Sequence, residues 1–313
     1  MSPRRWPRVA AFGGGVVTAG LTFAAVRIGT ACYERAVAER SAATIAAYLS
    51  IAAPPDRSGS DYNLAQLLIQ ARAVATLIGS SSLEVYHRTA PLVHAVAPPL
   101  SPAELERLRR EQTTGWDGGT ALAPLLDREG WEVVGAVRVP VRPLAVAWLE
   151  WGLPALLLIG VGLAAFSVRA IGHAGVERRA LVAYTVAALV GGGAAYVDLR
   201  TTARRATDVW LKETGALVQE ATTHSPGGLD VGDVATIVRG GALVPTDVLL
   251  RDAIPRRQKR GAVAAVAVRM GGGRWAELRT QAGEAATGIW FLCAIGLALL
   301  GPAGVAIAAR VAR

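Results

Sequence analysis

The sequence predicts a membrane protein with four transmembrane helices and two extracytoplasmic domains, the first α+β and the second a smaller, eroded copy. Three observations predict it. The chain has 313 residues, 52% hydrophobic and 18% charged, against about 25% charged in ordinary soluble proteins, and its mean hydropathy is +0.36. Val9–Val26, Trp151–Val168 and Gly288–Ala309 are long enough to cross a bilayer, and Leu181–Val197, interrupted by Gly191, Gly192 and Gly193, is a fourth stretch, the requirement being about 17–25 residues. Basic residues cluster beside these stretches: Arg4, Arg5 and Arg8 before the first, Arg169, Arg178 and Arg179 between the second and third, Arg310 and Arg313 after the fourth. Lys and Arg in short loops mark the cytoplasmic side. With four spans all three clusters fall there, both termini are cytoplasmic, and the chain sits in a bacterial inner membrane. The net charge of +9 is thus assigned to membrane orientation and not to nucleic acid.

The boundaries follow. Residues 1–28 hold the cytoplasmic N-terminus and first span, 29–147 the first outer domain, 148–168 the second span, 169–180 a cytoplasmic loop, 181–197 the third span, 198–287 the second outer domain, and 288–313 the fourth span and tail. The first segment has a second reading. A basic start, an apolar core and Gly29-Thr30-Ala31 also fit a signal peptide, and Cys32 then invites lipidation; Arg27 within the core and Gly29 at a lipobox position favour a retained span. Cys32 and Cys293 are the two cysteines, at different expected depths, so no disulfide or metal set follows.

In the first outer domain Tyr33, Val37, Ile45, Tyr48 and Leu49 recur at helical spacing. After the turn-rich Ala53–Asp61, Leu64, Leu67, Leu68, Ala71, Val74, Ala75 and Ile78 form the stripe of an amphipathic helix, capped by Ser60 or Asp61. Ser82–Ala97 reads as two strands around a turn at Arg88–Pro91. Ser101, Pro102 and Glu104 fit a capping box with proline at the first helical position. Leu125–Pro143 is a hairpin turning at Asp127–Gly130. In it Trp131, Val133, Gly135, Val137, Val139 and Val141 share one face and Glu132, Arg138 and Arg142 the other, a period of two that predicts one buried and one wet face.

In the second outer domain Ala206, Trp210, Leu217 and Ala221 keep helical spacing. Asp230 is a candidate cap for a helix ending at Arg239, and Gly241–Pro255 is a strand or a short helix. Ala262–Arg279 is a hairpin around glycines, and its Gly273–Glu277 echoes Gly130–Glu132. The shared order of span, helix, hairpin, span predicts an internal duplication.

The segments Leu83–Ala95, Leu100–Leu108 and Ala121–Val141 carry an order (two helices, two strands, a short helix, a closing hairpin) that resembles the extracytoplasmic PAS-like sensor domains, of PDC or Cache type, of bacterial sensor kinases and receptors. The resemblance covers Gly29–Val141. It implies that a sheet face binds a small ligand and that a membrane-continuous helix transmits the change. Only Arg310–Arg313 follows the fourth span, with no phosphoacceptor, ATP-binding, cyclase or methyl-accepting segment, so the resemblance implies a sensor acting through a partner.

Tyr86, Arg88, Trp131 and Arg138 are the candidate ligand-binding residues. An arginine beside aromatics suits a carboxylate through bidentate hydrogen bonds and stacking; the same residues also suit an ordinary sheet with a tryptophan plugging its core. Arg256, Arg257, Lys259 and Arg260 are the candidate contacts to lipid headgroups or an acidic partner, or else a solvated turn. His87 and His94 lack companions at metal-ligand spacing. Trp148 and Trp151, around Glu150, read as interfacial anchors. Gly13–Gly15 and Gly191–Gly193 would let helices approach closely. Gly160–Phe166 lies inside a span with no strand before it and is no dinucleotide fingerprint. No catalytic residue, cofactor or metal is expected. The predicted function is a non-enzymatic membrane sensor or accessory protein binding a ligand or protein partner outside; the alternative is a structural subunit of a larger membrane complex.

Overall fold

The computed structural model describes residues 6–53, 63–78, 83–93, 98–117, 119–127, 132–144, 147–170, 174–224, 237, 241–246, 256–257, 263–269, 275–281 and 285–311. They form six helices: α1 (Trp6–Ala52), α2 (Leu64–Leu77), α3 (Pro102–Glu111), α4 (Ala147–Ala170), α5 (Ala174–His224) and α6 (Ala285–Val311). The strands are β1 (Glu84–His87), β2 (Ala90–Val93), β3 (Gly115–Asp117), β4 (Thr120–Leu126), β5 (Val133–Pro140), β6 (Gly241–Thr246), β7 (Arg256–Arg257), β8 (Val263–Arg269) and β9 (Trp275–Gln281).

Four transmembrane helices are not what the chain folds into. Among the described residues two helices are long and apolar enough to cross a membrane, one in α1 (Phe12–Ala52) and one in α5 (Arg178–Thr222). Helices do form at the second and fourth expected spans. Their apolar runs, Leu158–Ala170 and Ala298–Ile307, are shorter. At about 1.5 Å per residue they rise about 20 and 15 Å, against about 30 Å of hydrocarbon.

The chain divides into two compact units. Met1–Tyr33, Leu144–Arg205 and Gly283–Arg313 make a helical unit; Glu34–Pro143 and Ala206–Ala282 make a unit containing both sheets. Helices α1, of 47 residues, and α5, of 51, each belong to both. α1 runs unbroken through Gly29–Ala31, and α5 through Gly191–Gly193 and Gly215.

In the helical unit Ala164, Tyr184 and Val305 form one buried cluster, and Val26, Ala195 and Leu199, with Tyr33 against them, form another. The glycine runs are used selectively. A methyl at Gly15 would collide with Ala164 and Tyr184, and one at Gly192 would press on Ile295 at 3.0 Å, whereas Gly13, Gly14, Gly191 and Gly193 face open space.

In the sheet unit the first sheet has five antiparallel strands in the order β2-β1-β5-β4-β3, and the second has four, β6-β9-β8-β7. The second order repeats the first without β2: an opening strand, then the closing strand, then its hairpin partner, then a short outer strand. The amphipathic stripe of α2 is capped by Asn63, whose side chain accepts from the Gln66 N–H at 3.3 Å, and not by Ser60 or Asp61. The segment beginning at Gly241 opens as strand β6, paired with β9 from Gly241↔Thr280 to Thr246↔Trp275. The helix expected after Asp230 and the turn residues Arg128, Glu129 and Gly130 lie outside the described residues.

One large core backs the first sheet. Val85, Ala121, Ala123, Leu125, Val137 and Val139 pack with Ala38, Ala42, Ile45 and Leu49 of α1, Leu67, Ala71 and Val74 of α2, and Trp210, Leu217 and Val218 of α5. The other face is not wet. α3 lays Leu105 and Leu108 over Tyr86, Leu122, Val133 and Ala136. Val133 therefore lies opposite the face expected for it. The register shifts at Leu125/Leu126, pairing Leu125 with Gly135 and Leu126 with Val133. Val134 is the extra residue of a bulge, and one extra residue inverts the alternation.

At Gly135, paired with His87, a Cβ would collide with the Tyr86 carbonyl oxygen and crowd its carbon at 3.0 Å. Both atoms are main chain, so only a shift of β1 would relieve the clash. Gly135→Ala is expected to destabilise the protein by about 3 kcal/mol or more, or to abolish folding, in denaturant unfolding of the full chain; wild-type stability would contradict the close approach.

Candidate functional site: an arginine held by three carboxylates

Glu84 and Tyr86 stand two apart on β1 and share a face. Arg138 lies opposite Glu84 on β5, on the face that α3 covers. Arg138 Nη1 donates to Glu84 Oε2 at 3.2 Å and to the Tyr86 hydroxyl at 3.1 Å. Its Nη2 donates to Asp117 Oδ2 at 2.8 Å and to Glu104 Oε1 at 3.4 Å. Its guanidinium carbon stacks 5.4 Å from the Tyr86 ring centroid. The Tyr86 hydroxyl donates to Glu84 Oε2 at 2.6 Å, with the Pro98 carbonyl at 3.2 Å.

The carboxylates come from three elements. Glu84 is set by β1, Asp117 by β3 and Glu104 by the start of α3. There the capping box is complete: Glu104 N–H donates to Ser101 Oγ at 3.2 Å, and Ser101 N–H donates to Glu104 Oε2 at 2.9 Å. One oxygen of Glu104 thus caps the helix while the other receives Arg138. The Arg138 side chain is only 11% exposed.

Burial pushes the Glu104 carboxyl up, but the hydrogen bonds from the Ser101 side chain and backbone, that of Asp117 and the charge of Arg138 outweigh it and hold it below the usual glutamate range. Burial, then the hydrogen bond to Glu84, pushes the Tyr86 phenol well above its ordinary value, so it stays a neutral donor at physiological pH.

Of the residues marked for ligand binding, the structure brings Tyr86 and Arg138 together. Arg88 is apart: it sits exposed in the β1–β2 turn with φ 54°, and its N–H donates to the Val134 carbonyl at 2.6 Å. Trp131 lies outside the described residues. Arg256 and Arg257 form β7, paired with Ala265 and Ala264; Lys259 and Arg260 are outside the described residues. His87 is buried. Sequence reasoning missed Glu84, Asp117 and the second use of Glu104. Only the alternation Glu84-x-Tyr86 signalled the first, and the others reach Arg138 from distant elements.

This geometry changes what Arg138 can do. With all three carboxylates ionised, two negative charges stand in excess around one guanidinium, so an incoming carboxylate would meet repulsion where a bare arginine would attract it. The cluster binds α3 to the sheet. A second set of side chains ties α1 to the same sheet: the Trp116 indole on β3 donates to Glu39, and Arg35 stacks 5.5 Å from the Trp116 centroid. Glu213 of α5 accepts from Ser41 Oγ at 2.6 Å and from Arg142 Nη1 at 2.7 Å.

No protein-family model, curated protein or solved structure matches this chain.

Arg138→Met leaves three carboxylates facing one another without their cation. Removing one partner of a buried ion pair costs about 3–5 kcal/mol, and that loss is expected in denaturant unfolding; a loss within experimental error would mean the cluster is not integral to the fold. A carboxyl held below its ordinary pKa contributes stability that is fully present above the unfolded value, about 4.3 for glutamate, and is lost as pH falls through the folded value. The stability added by Glu104 is therefore expected to fade below about pH 4.3. Glu104→Gln should flatten the acid limb of a stability-versus-pH profile; an unchanged limb would remove Glu104 from the account.

Proposed function

We propose that this chain is a non-enzymatic membrane sensor or accessory protein. Its sheet unit lies outside a bacterial cytoplasmic membrane and binds a ligand or protein partner, and α1 and α5 carry the change to a separate transmitter. The observation that carries this reading is that α1 and α5 are long and apolar enough to cross a membrane and also supply the buried face behind the sheets, through Ala42, Ile45, Leu49, Trp210 and Leu217. A shift in a sheet acts directly on the helices that enter the bilayer.

Two further features support it. The five-stranded antiparallel sheet has its last strand central between two hairpins, as a PAS-like module requires. The strand order of the second sheet, and burial at positions 172 residues apart in the two helices (Ala38 and Trp210, Ala42 and Thr214, Ile45 and Leu217, Leu49 and Ala221), support an internal duplication. Arg4, Arg5, Arg8, Arg178 and Arg179 support a cytoplasmic start for α1 and α5.

The test has two arms. A phosphatase fused after Gly227 in the full chain should be active, as expected outside the membrane, and a fluorescent protein there should be dark; the opposite pattern overturns the orientation. Purified full-length protein in nanodiscs should then gain thermal stability from at least one compound in a metabolite panel or from a co-expressed membrane receptor. No shift with either, together with co-purification in a fixed-stoichiometry complex, would establish scaffolding instead.

A further inference from the structure

A cavity of about 500 Å³ lies within the helical unit between α1, α4, α5 and α6. Its size falls in the range of ligand sites, about 300–1,000 Å³. Its lining is the unusual part. No charged side chain contributes, and the polar members are Thr18, Thr22 and Tyr184. Both threonine hydroxyls are committed to their own helix: Thr18 donates to the Gly14 carbonyl at 2.7 Å and Thr22 to the Thr18 carbonyl at 2.9 Å. Tyr184 is 4% exposed, and among the described residues its hydroxyl has no hydrogen-bond partner. A buried polar group without a partner costs free energy, so the site offers one unspent hydrogen bond in an otherwise apolar chamber.

Glycine makes the room. Gly191 lines the cavity, and a Cβ there would meet nothing within 4 Å. Its neighbour Gly192, one residue on, is filled by Ile295 at 3.0 Å. The space at Gly191 is therefore not a by-product of close helix packing. The walls belong to α1 and α5, the two helices apolar enough to lie in a bilayer, where hydrocarbon is the surrounding solvent and a charged or strongly polar ligand would be costly to bring.

We propose that this cavity binds the hydrocarbon chain of a membrane lipid, with the Tyr184 hydroxyl as the single contact for a polar group on that chain. Each methylene seated there replaces empty space with dispersion contacts to the apolar walls. The site is separate from the Arg138 cluster and does not depend on the sensor reading. An acyl chain and an isoprenoid share this chemistry.

The test uses the full-length protein in membranes with two photoreactive probes, a diazirine analogue of palmitic acid and one of geranylgeraniol, and maps the labelled peptides by mass spectrometry. Labelling is expected on Thr22, Ala187 and their neighbours with at least one probe, and which probe labels decides between the two chain types. Gly191→Phe places a ring in the cavity and should lower that labelling by about tenfold, since every methylene excluded forfeits its burial. Gly13→Phe puts the same ring in open space away from the lining and should leave labelling unchanged. Ala187→Phe serves if Gly191→Phe does not accumulate. Labelling that is equal in wild type and the filled variant, that lies on outward residues such as Leu158 and Ile307, or that is absent with both probes overturns the proposal.

Discussion

A five-stranded sheet with two apolar faces cannot stay folded unless both are covered, and everything else in the sheet unit follows from how that is met. One face is closed by α3, which is local and short. The other is closed by residues of α1 and α5, helices that begin in apolar sequence far from any strand. Ala38, Ala42, Ile45 and Leu49 on one and Trp210, Leu217 and Val218 on the other make a single core with Val85, Val137 and Val139. The sheet has no separate hydrophobic interior. It borrows one from helices that also belong to the helical unit.

The covering of the α3 face is polar at one end and apolar at the other. Leu105 and Leu108 close the apolar end; Arg138, gripped by Glu84, Glu104 and Asp117, closes the polar end. Buried ion pairs add little net stability once desolvation is counted, but they are specific. Three donor–acceptor directions fix where α3, β1 and β3 sit relative to β5. This division of labour, with adhesion from leucines and register from an arginine, accounts for a capping glutamate that faces two ways.

Much of this was legible in the sequence where the determinants are local. The Ser101–Glu104 capping box is complete within four residues and is found as read. The α2 stripe and the closing hairpin are periodic and are also found. What failed to show was long-range. Nothing near Arg138 reveals Glu84, 54 residues away, or Asp117. The wet face deduced for β5 ignored α3, and the alternation was inverted at its start by Val134, a bulge residue that looks like any other valine. β7 is two arginines paired to alanines, and without apolar alternation it reads as a loop. The spans at α4 and α6 were read from continuous hydropathy, and their apolar runs prove shorter. Asn63 displaced Ser60 and Asp61 as cap because a helix start depends on which side-chain oxygen reaches the third amide, not on how many candidates precede it.

The pairing of Ser41 with Glu213 spans 172 residues, and that separation has a consequence for how the chain matures. When a ribosome has delivered everything up to Pro143, the first sheet can form, with α2 and α3 against it. The face reserved for Trp210, Leu217 and Val218 is still bare. It stays bare until α4 and most of α5 have been synthesised, and Arg142 waits as long for its carboxylate. At about 5–20 residues per second that is an interval of several seconds. Nascent chains in that interval are the ones to which chaperones and proteases have access, and defects confined to α5 would be felt there as lost yield before they are felt as lost activity.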